Sequence, residues 1–380
     1  MENTYVLGGL RTPIVLKNGA FQSVQPEEFC AALLGAVIQK YRLQEIDEII
    51  CGNAVGTGGN ITRLMALKAG VPESVPAFTV DMQCASAALS VDLARSRIAS
   101  GQADLIIAGG FESSSLQPLR VYSPSDCRYS KELQGRYTVA QFAPQENDPL
   151  AMLRGAERVA QAERMTKAEL DFWTMESHQR AKAARDSSLL KDLIVPIAGI
   201  TADDGIRDRM SQRLLDRLPL LLGPGSLLTA GNSCLINDGA ALVVLCSERY
   251  WRQHEVKPLA KFVAGQTLGG DPLQSPRGAM QTADKLLAGV GLAYKDLAAI
   301  EFNEAFAVID VLFQRRCPEK ISEYNSFGGA LAYGHPYGAS GAIILLHLLR
   351  ALALHGGGYG LCAIAGAGGM GTALLVEGIV

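Results

Sequence analysis

A cysteine between a predicted strand and a predicted helix is the residue of this sequence best suited to nucleophilic chemistry. Cys84 follows residues 78–82, which include Val, Thr and Phe, and Ala85, Leu89 and Leu93 then recur four residues apart. At a helix N-terminus the unpaired backbone N–H groups and the macrodipole favour a thiolate, and a sharp strand-to-helix corner exposes the side chain. A small buried hydrophobic residue is the alternative interpretation of Cys84, because most cysteines are of that kind.

Asn303 and His335 are polar residues in segments that a ligand can approach closely. Asn303 starts the sequence Asn-Glu-Ala-Phe directly after a predicted strand over residues 299–302. Ligand sites of α/β proteins lie at the carboxyl ends of strands. His335 is one of five histidines and lies in residues 328–341, a run made mostly of glycine and alanine. The alternative for His335 is a purely structural role.

Two glycine-rich segments lack the spacing of nucleotide-binding loops. Residues 53–63 have neither the Lys-Ser/Thr ending of a phosphate loop nor a dinucleotide fingerprint, so we expect a close-packed loop near a site or a subunit interface. Residues 366–371 look like a dinucleotide loop, but too little chain follows for the helix that would hold a pyrophosphate. We interpret them as a source of backbone N–H groups near a developing oxyanion.

Strands and helices alternate at both ends of the chain, which predicts an α/β layered fold. Strands are predicted over residues 5–9, 46–52, 104–108, 240–246, 259–265 and 361–365, and helices over residues 27–41, 148–162, 167–187 and 338–354. The order turn, helix, glycine, strand and glycine cluster occurs over residues 84–110 and again over residues 338–371. This repeat predicts two duplicated halves, with the site where they meet.

The chain is too long for one ordinary hydrophobic core, and we predict three regions. The first half comprises residues 1–115 plus 236–257, and the second half comprises residues 258–380. Residues 116–235 are richer in charge and helix, which indicates an inserted, mainly helical domain over the layers. One polar stretch of this insert contains four arginines: Arg207, Arg209, Arg213 and Arg217. These arginines are either a solvated surface or a patch for an anionic ligand tail.

Composition argues against several classes of function. A formal net charge of −3 gives no electrostatic case for nucleic acid or an anionic membrane. The eight cysteines show no CxxC or other metal-type spacing, and no signal peptide precedes them. We therefore expect free thiols in a reducing, cytoplasmic compartment and no metal site. No apolar run reaches bilayer length without interruption, so we expect a soluble protein.

Several longer motifs follow one another along the whole chain. They are Arg-Thr-Pro at residues 11–13, Cys-x-Ser at 84–86, Ala-Gly-Gly-Phe-Glu-Ser at 108–113, Thr-Ala-Gly-Asn and Asn-Asp-Gly-Ala-Ala within 229–241, Asn-Glu-Ala-Phe at 303–306, and Gly-His-Pro-x-Gly-Ala-Ser-Gly at 334–341. Through these motifs the chain resembles the thiolases, which are CoA-dependent acyltransferases that make or cleave 3-oxoacyl-CoA. The resemblance implies an α/β fold of two similar βαβαβαββ halves in five layers, with a loop domain that covers the CoA site.

The resemblance also implies roles for residues that match the motifs. Cys84 would be the nucleophile that takes the acyl group, and His335 would activate its sulfur and donate to the thioester oxygen. Asn303 would hold a water that completes this oxyanion site with His335. The backbone N–H groups of Cys84 and Ala367 would form a second oxyanion hole, for the intermediate at the acyl-cysteine.

The resemblance further implies how CoA would bind. Met152 and Phe306 would line the pantetheine channel, Arg207 would lie near the nucleotide end of CoA, and Cys234 occupies the position of a CoA-loop serine. CoA and acyl-CoA would be substrates, with no permanently bound cofactor. Because thiolases are dimers or dimers of dimers, we expect a homo-oligomer, and residues 53–63 would suit its interface.

One departure from the family pattern concerns the carbon–carbon chemistry. Where typical thiolases have a second cysteine that acts as acid and base at the carbon α to the thioester, this chain has Ala365. Cys362 lies three residues earlier, and an odd offset on a strand points a side chain to the opposite face. We therefore expect Cys362 to lie in the core. We also expect that Cys84 is still acylated and that the carbon–carbon chemistry is impaired. His335 is the preferred substitute for the missing acid and base.

Three functions compete at this point. The first is an acetyl-CoA acetyltransferase or 3-ketoacyl-CoA thiolase that works despite Ala365, which the other motifs favour. The second is a thiolase-fold condensing or acyl-transfer enzyme of a biosynthetic pathway that uses only Cys84, His335 and Asn303. The third is a non-catalytic acyl-CoA-binding partner subunit, which the intact cysteine and histidine disfavour because binding needs no activated thiol.

Overall fold

The computed structural model describes residues 2–144 and 147–379. Its strands are β1 Thr4–Arg11, β2 Val15–Leu16, β3 Glu48–Gly52, β4 Ala77–Val80, β5 Leu105–Glu112, β6 Arg120–Val121, β7 Arg136–Tyr137, β8 Asn237–Ser247, β9 Ala260–Gly269, β10 Leu297–Phe302, β11 Gly358–Gly366 and β12 Met370–Gly378. Its helices are α1 Pro26–Tyr41, α2 Ile61–Lys68, α3 Ser86–Ala99, α4 Ala151–Ala162, α5 Lys167–Asp186, α6 Gln212–Leu215, α7 Glu248–Gln253, α8 Gly278–Val290, α9 Ala307–Arg316, α10 Ala330–Tyr333 and α11 Ser340–His355. The strands and helices predicted from the sequence are all present, and their ends differ by a few residues.

Most of the strands form one sheet in which two halves meet edge to edge. The strand order is β10-β11-β12-β9-β1-β8-β5-β3-β4, and β2 pairs with β8. Strand β3 pairs in parallel with β4 and β5, as β10 does with β11. The halves are joined by antiparallel pairs that run from Thr4 with Phe262 to Val6 with Ala260.

The two halves repeat one connection pattern, as the sequence predicted. The first half runs β1-α1-β3-α2-β4-α3-β5-β8, which is the order βαβαβαββ. The second half runs β9-α8-β10-α9, then α11-β11-β12. Its counterpart of β4 is reduced to a parallel bridge between Ile300 and Tyr324. Helices α3 and α11 therefore occupy equivalent positions, each directly before a buried strand.

Helices α3 and α11 form the central layer of the fold. Apolar side chains such as Val91 of α3 and Leu345 of α11 pack in one cluster with residues of both half-sheets. The helices approach closely, because a Cβ atom on Gly341 would lie 2.4 Å from the backbone nitrogen of Ala88. A second cluster covers the outer face of the first half with α1 and α2, and a third covers the second half with α8 and α9. Since the central helices pack on both halves of the sheet, the layers are helices, half-sheet, helices, half-sheet and helices.

The central position of α11 explains its composition. By length and composition the segment Tyr337–His355 could cross a membrane, which corrects the expectation that no apolar run reaches that length. A helix that is apolar all round is either a buried core helix or a membrane span. In this fold 78% of the apolar window is buried between the sheets, so packing accounts for the sequence.

The insert over residues 116–235 consists mainly of helices and loops. Helix α5 begins with a capping box, in which the Thr166 side chain accepts from the Glu169 backbone and the Glu169 side chain accepts in return. Its buried residues Leu170 and Trp173 lie in the same cluster as α8 and α9. The insert therefore packs on the second half, while the exact domain boundaries stay a prediction.

Candidate active site

Cys84 lies in a tight turn between β4 and α3, two residues before the helix. Gln83 has a positive φ of 52°. The Ser86 hydroxyl accepts from the Met82 backbone N–H at 2.8 Å and donates to the Gln83 carbonyl at 2.6 Å. The Asp81 carboxylate accepts from the Gln83 N–H at 2.8 Å. These bonds fix the turn and leave Cys84 partly exposed.

The glycine turn between β11 and β12 lies against this cysteine turn. A Cβ atom on Gly366 would be 3.1 Å from the Met82 carbonyl oxygen and 3.5 Å from the Ala85 Cβ. Within the described part of the chain, neither the Cys84 N–H nor the Ala367 N–H has a hydrogen-bond acceptor. Two backbone donors from opposite halves are therefore available to a ligand.

His335 is held as a neutral imidazole at the end of a buried loop. Its backbone N–H donates to Asn237 Oδ1 at 3.0 Å, and its Nδ1 is 2.6 Å from Ser340 Oγ. Because Ser340 donates its own hydrogen to the Pro336 carbonyl at 3.1 Å, we assign the ring hydrogen to Nδ1. The lone pair of Nε2 then faces the Asn303 amide nitrogen, 3.5 Å away. Burial lowers the pKa of His335 to about 3, so the ring can accept a proton.

Asn303 is positioned by the neighbouring strand and by a buried glutamate. Its N–H donates to the Ala363 carbonyl of β11 at 3.0 Å. The next residue, Glu304, accepts from the Ser177 hydroxyl at 2.5 Å and from Asn325 Nδ2 at 2.9 Å. These bonds tie the Asn-Glu-Ala-Phe segment to the insert on one side and to the second half on the other. Glu304 thus has a structural role that its place in the motif did not reveal.

Glu112 joins the first half to the histidine segment. This buried carboxylate at the end of β5 accepts from the Asn53 amide at 3.0 Å, from the Ala54 and Val55 N–H groups at 2.8 and 3.2 Å, and from the Gly338 N–H at 3.0 Å. Burial raises the pKa of Glu112 to about 7, and the backbone N–H donors oppose that rise. The glycine-rich segment that starts at residue 53 is therefore packed at the site, as expected.

Tyr337 adds a phenol that the sequence did not point to. Its ring meets the His335 ring edge to face, with centroids 5.0 Å apart. Burial, and then charge on Cys234, Cys84 and Glu112, raise the pKa of the Tyr337 hydroxyl. Tyr337 therefore lies directly beside the histidine predicted as the base.

The residues predicted to contact CoA divide into two groups. Met152, Cys234 and Phe306 lie in or against one apolar cluster, and the Cys234 N–H donates to the Ala305 carbonyl at 3.0 Å. Arg207 is exposed and outside this cluster, and its backbone N–H donates to His178 Nδ1 at 3.0 Å. In the described residues the four arginines of the polar stretch form no ion pair. The described residues also contain no group of three or more His, Cys, Asp or Glu side chains able to hold a metal ion.

Comparison with known proteins identifies the family. The family model described as "Thiolase, N-terminal domain" matches residues 4–249, and "Thiolase, C-terminal domain" matches residues 256–378. The chain belongs to the thiolase family. It is accordingly an acyl-CoA acyltransferase.

Relatives align with this thiolase over its full length. Acetyl-CoA acetyltransferase of Synechocystis sp. is 33% identical over 407 residues, covering 99% of this chain and 100% of the relative. Beta-ketoadipyl-CoA thiolase of Pseudomonas putida is 31% identical over 399 residues, with 99% and 100% covered. The crystal structure of Acat5 thiolase from Ascaris suum in complex with coenzyme A superposes with a TM-score of 0.89 at 28% identity, covering 100% of both chains.

The expectation of a resting thiolate at Cys84 is wrong for this thiolase. Burial raises the pKa of the Cys84 thiol to about 12, and the Glu112 carboxylate adds to the rise. A helix N-terminus contributes only about half a charge, and exclusion of water outweighs it here. The resting site therefore pairs a neutral thiol with a neutral His335.

Ala365 and Cys362 point to opposite faces of β11, as the odd offset predicted. Ala365 packs in the outer cluster with Ala363, whereas Cys362 packs in the central cluster with Ile364. Cys362 is 1% exposed, and burial raises its pKa. Cys362 is therefore a core residue of this thiolase and cannot turn into the site without a change of register.

We expect Glu112→Gln to destabilise the thiolase. One side-chain oxygen becomes an NH₂ group, so at least one of the buried N–H donors loses its acceptor, which costs about 1–3 kcal/mol. Urea denaturation measured above the pKa of Glu112 checks this. Glu248→Gln is the matched control, since Glu248 is a surface carboxylate paired with Arg252. Equal stability of the two variants would contradict the bridging role.

Proposed function

We propose that Cys84 is the acyl-carrying nucleophile of this thiolase and that His335 is its base. The observation that carries the proposal is the assigned tautomer of His335, whose Nδ1 is bound by Ser340 while Nε2 keeps a lone pair that only the long 3.5 Å contact with the Asn303 amide approaches. The chain after His335 packs against the helix after Cys84, since a Cβ atom on Gly341 would lie 2.4 Å from the Ala88 nitrogen, so the base and the nucleophile belong to segments that pack together. Proton transfer from thiol to imidazole would accompany attack on the thioester, because neither group is charged at rest.

We further propose two oxyanion sites. The Cys84 and Ala367 N–H groups would bind the oxygen of the intermediate formed at the acyl-cysteine. Protonated His335 and the Asn303 amide would stabilise the thioester oxygen of the CoA substrate. Asn303 suits this role because its Nδ2 already lies 3.5 Å from Nε2 of the histidine.

The substrates in this proposal are CoA and acyl-CoA. Met152, Phe306 and Cys234 form an apolar wall that suits the pantetheine arm, and the exposed Arg207 suits a phosphate at the other end. CoA is bound by the Ascaris suum thiolase, which has the same fold. No permanently bound cofactor is needed for acyl transfer between thiols.

Ala365 sets the limit of the proposed chemistry. Acyl transfer onto Cys84 needs only a nucleophile, a base and oxyanion donors. Cleavage or formation of a carbon–carbon bond also moves a proton at the α carbon, and a methyl side chain cannot do this. The same absence favours a second candidate function, a condensing or acyl-transfer enzyme that uses Cys84, His335 and Asn303 alone.

We propose that the chain forms a homo-oligomer, either a dimer or a dimer of dimers. Strand β4 leads directly to the Cys84 turn and is the last strand of the sheet, so in the described residues one of its edges is unpaired. Sheet edges of this kind pair with another chain or are covered. Light scattering should give at least twice the 40.4 kDa of one chain. A monomer at working enzyme concentration would overturn this proposal.

Mixing the protein with acetyl-CoA should attach one acetyl group to Cys84. Intact-mass and peptide mass spectrometry check this. Cys84→Ala should abolish the adduct, and His335→Asn should slow its formation by about 10²–10⁴-fold because the base is lost. Cys127→Ser is the control, since Cys127 is exposed and outside the site. An adduct on another cysteine, or none, would contradict the proposed nucleophile and leave a binding role.

Ala365→Cys should raise the rate of thiolysis of acetoacetyl-CoA without changing the rate of Cys84 acetylation. A positioned acid or base contributes about 10²–10⁴-fold to the rate. If another group already moves the proton, the gain in the thiolysis rate should be smaller than this. Cys362→Ala is the control, because Cys362 faces the core and its loss should not affect the reaction. If the rate of thiolysis does not increase in Ala365→Cys, then Ala365 is not what limits the carbon–carbon chemistry.

A further inference from the structure

The hydroxyl of Tyr337 is an unpaired polar group at the proposed site. Among the described residues it has no hydrogen-bond partner, and Tyr337 is partly exposed. Other enclosed tyrosines do have partners: Tyr324 donates to Asp310 at 2.7 Å, and Tyr333 donates to the Phe327 carbonyl at 2.8 Å. Tyr337 is partly exposed, and its hydroxyl is not among the buried polar atoms that lack a partner, so this hydroxyl is open and available to a ligand.

The backbone holds Tyr337 in place. His335 lies two residues before it, and the Gly338 N–H after it donates to Glu112. A Cβ atom on Gly338 would lie 2.8 Å from the Asn53 Cα, so this segment is wedged against the first half. The backbone at Tyr337 is therefore held against the first half, and the ring packs on the His335 ring.

Burial sets the protonation state of the Tyr337 hydroxyl. Burial, and then nearby negative charge, raises its pKa. The hydroxyl therefore keeps its proton in the resting protein and can donate it to a carbanion. Ala365 has no proton to give, and Cys362 points to the opposite face of β11.

We propose that the Tyr337 hydroxyl is the acid and base at the α carbon, in place of the cysteine that Ala365 replaces. This inference rests on the proposed function of Cys84. Two observations carry it: the phenol is fixed beside His335, and its hydroxyl has no partner among the described residues.

In thiolysis the sulfur of Cys84 bonds to C3 of 3-oxoacyl-CoA, and His335 takes the thiol proton. The C2–C3 bond then breaks, its electron pair goes to C2, and the Tyr337 hydroxyl gives its proton to C2. This step releases acetyl-CoA and leaves a phenolate. Protonated His335 returns its proton to the phenolate and then takes the proton of incoming CoA, whose sulfur attacks the acyl-Cys84 thioester and releases the cysteine sulfur. That sulfur regains its proton from His335, so the cycle closes without another reactant.

Cys234 is the competing proton donor. Its thiol is partly exposed, and its charge affects Tyr337 more than that of Cys84 does. Tyr337 is favoured because its ring contacts the His335 ring directly. Variants of both residues separate the two assignments.

The test measures proton transfer and acylation separately. Exchange of the acetyl-CoA methyl protons in D₂O, followed by NMR, measures proton transfer at the α carbon. Mass spectrometry measures acetylation of Cys84. Tyr337→Phe should slow exchange and thiolysis by about 10²–10⁴-fold and leave acetylation unchanged. Tyr359→Phe is the matched control. Tyr359 is a half-buried tyrosine of β11, and its hydroxyl also has no hydrogen bond among the described residues. Adding Ala365→Cys to Tyr337→Phe should restore exchange, which also shows that the variant folds.

Two outcomes would overturn the assignment of Tyr337, and a third would overturn the proposed function itself. Normal exchange in Tyr337→Phe would remove the tyrosine from the reaction. Slow exchange in Cys234→Ala, with normal exchange in Tyr337→Phe, would assign the role to Cys234. Failure of the unmodified protein to acetylate Cys84 would instead refute the proposed function on which the assignment rests.

Discussion

The site depends on one buried carboxylate that accepts N–H donors from two halves of the molecule. Glu112 ends β5 of the first half and binds the Gly338 N–H of the second half, as well as donors from residues 53–55. An acceptor with several donors is costly to leave unpaired in a dry interior, so the contact fixes the distance between the halves. His335 and Tyr337 are carried on the segment that this contact holds. The glycines at 52, 110 and 338 allow the close approach, since a Cβ on Gly110 would lie 1.9 Å from the Gly338 carbonyl oxygen.

Duplication explains why the chemistry lies between the halves. Helices α3 and α11 are equivalent and central, and each starts beside a polar turn that faces the other half. The nucleophile comes from the turn before α3, whereas the histidine comes from the turn before α11. The glycine turn after β11 supplies an N–H donor next to Cys84. Neither half alone therefore contains a complete set of nucleophile, base and oxyanion donors.

Burial determines the charge state of the resting site. It raises the pKa of Cys84 to about 12 and lowers that of His335 to about 3, so thiol and imidazole are both neutral. Burial disfavours a thiolate at Cys84, and the nearby Glu112 carboxylate disfavours it further. Charge separation then has to accompany binding of the thioester, whose oxygen meets oriented donors. Burial also raises the pKa of Tyr337, so its phenol keeps its proton at rest.

The sequence alone determined the types of the elements, the duplicated order, the Cys84 turn and the resemblance to thiolases, because these depend on local periodicity and on motifs. The opposite faces of Cys362 and Ala365 followed from strand geometry. Only the tertiary structure decided the neutral thiol, the bridge of Glu112 to a residue 226 positions away, and the place of Tyr337 directly beside the histidine. The physical reason is that desolvation and long-range hydrogen bonds depend on which segments pack together. That packing is set by the whole hydrophobic core and leaves no local signature in the chain.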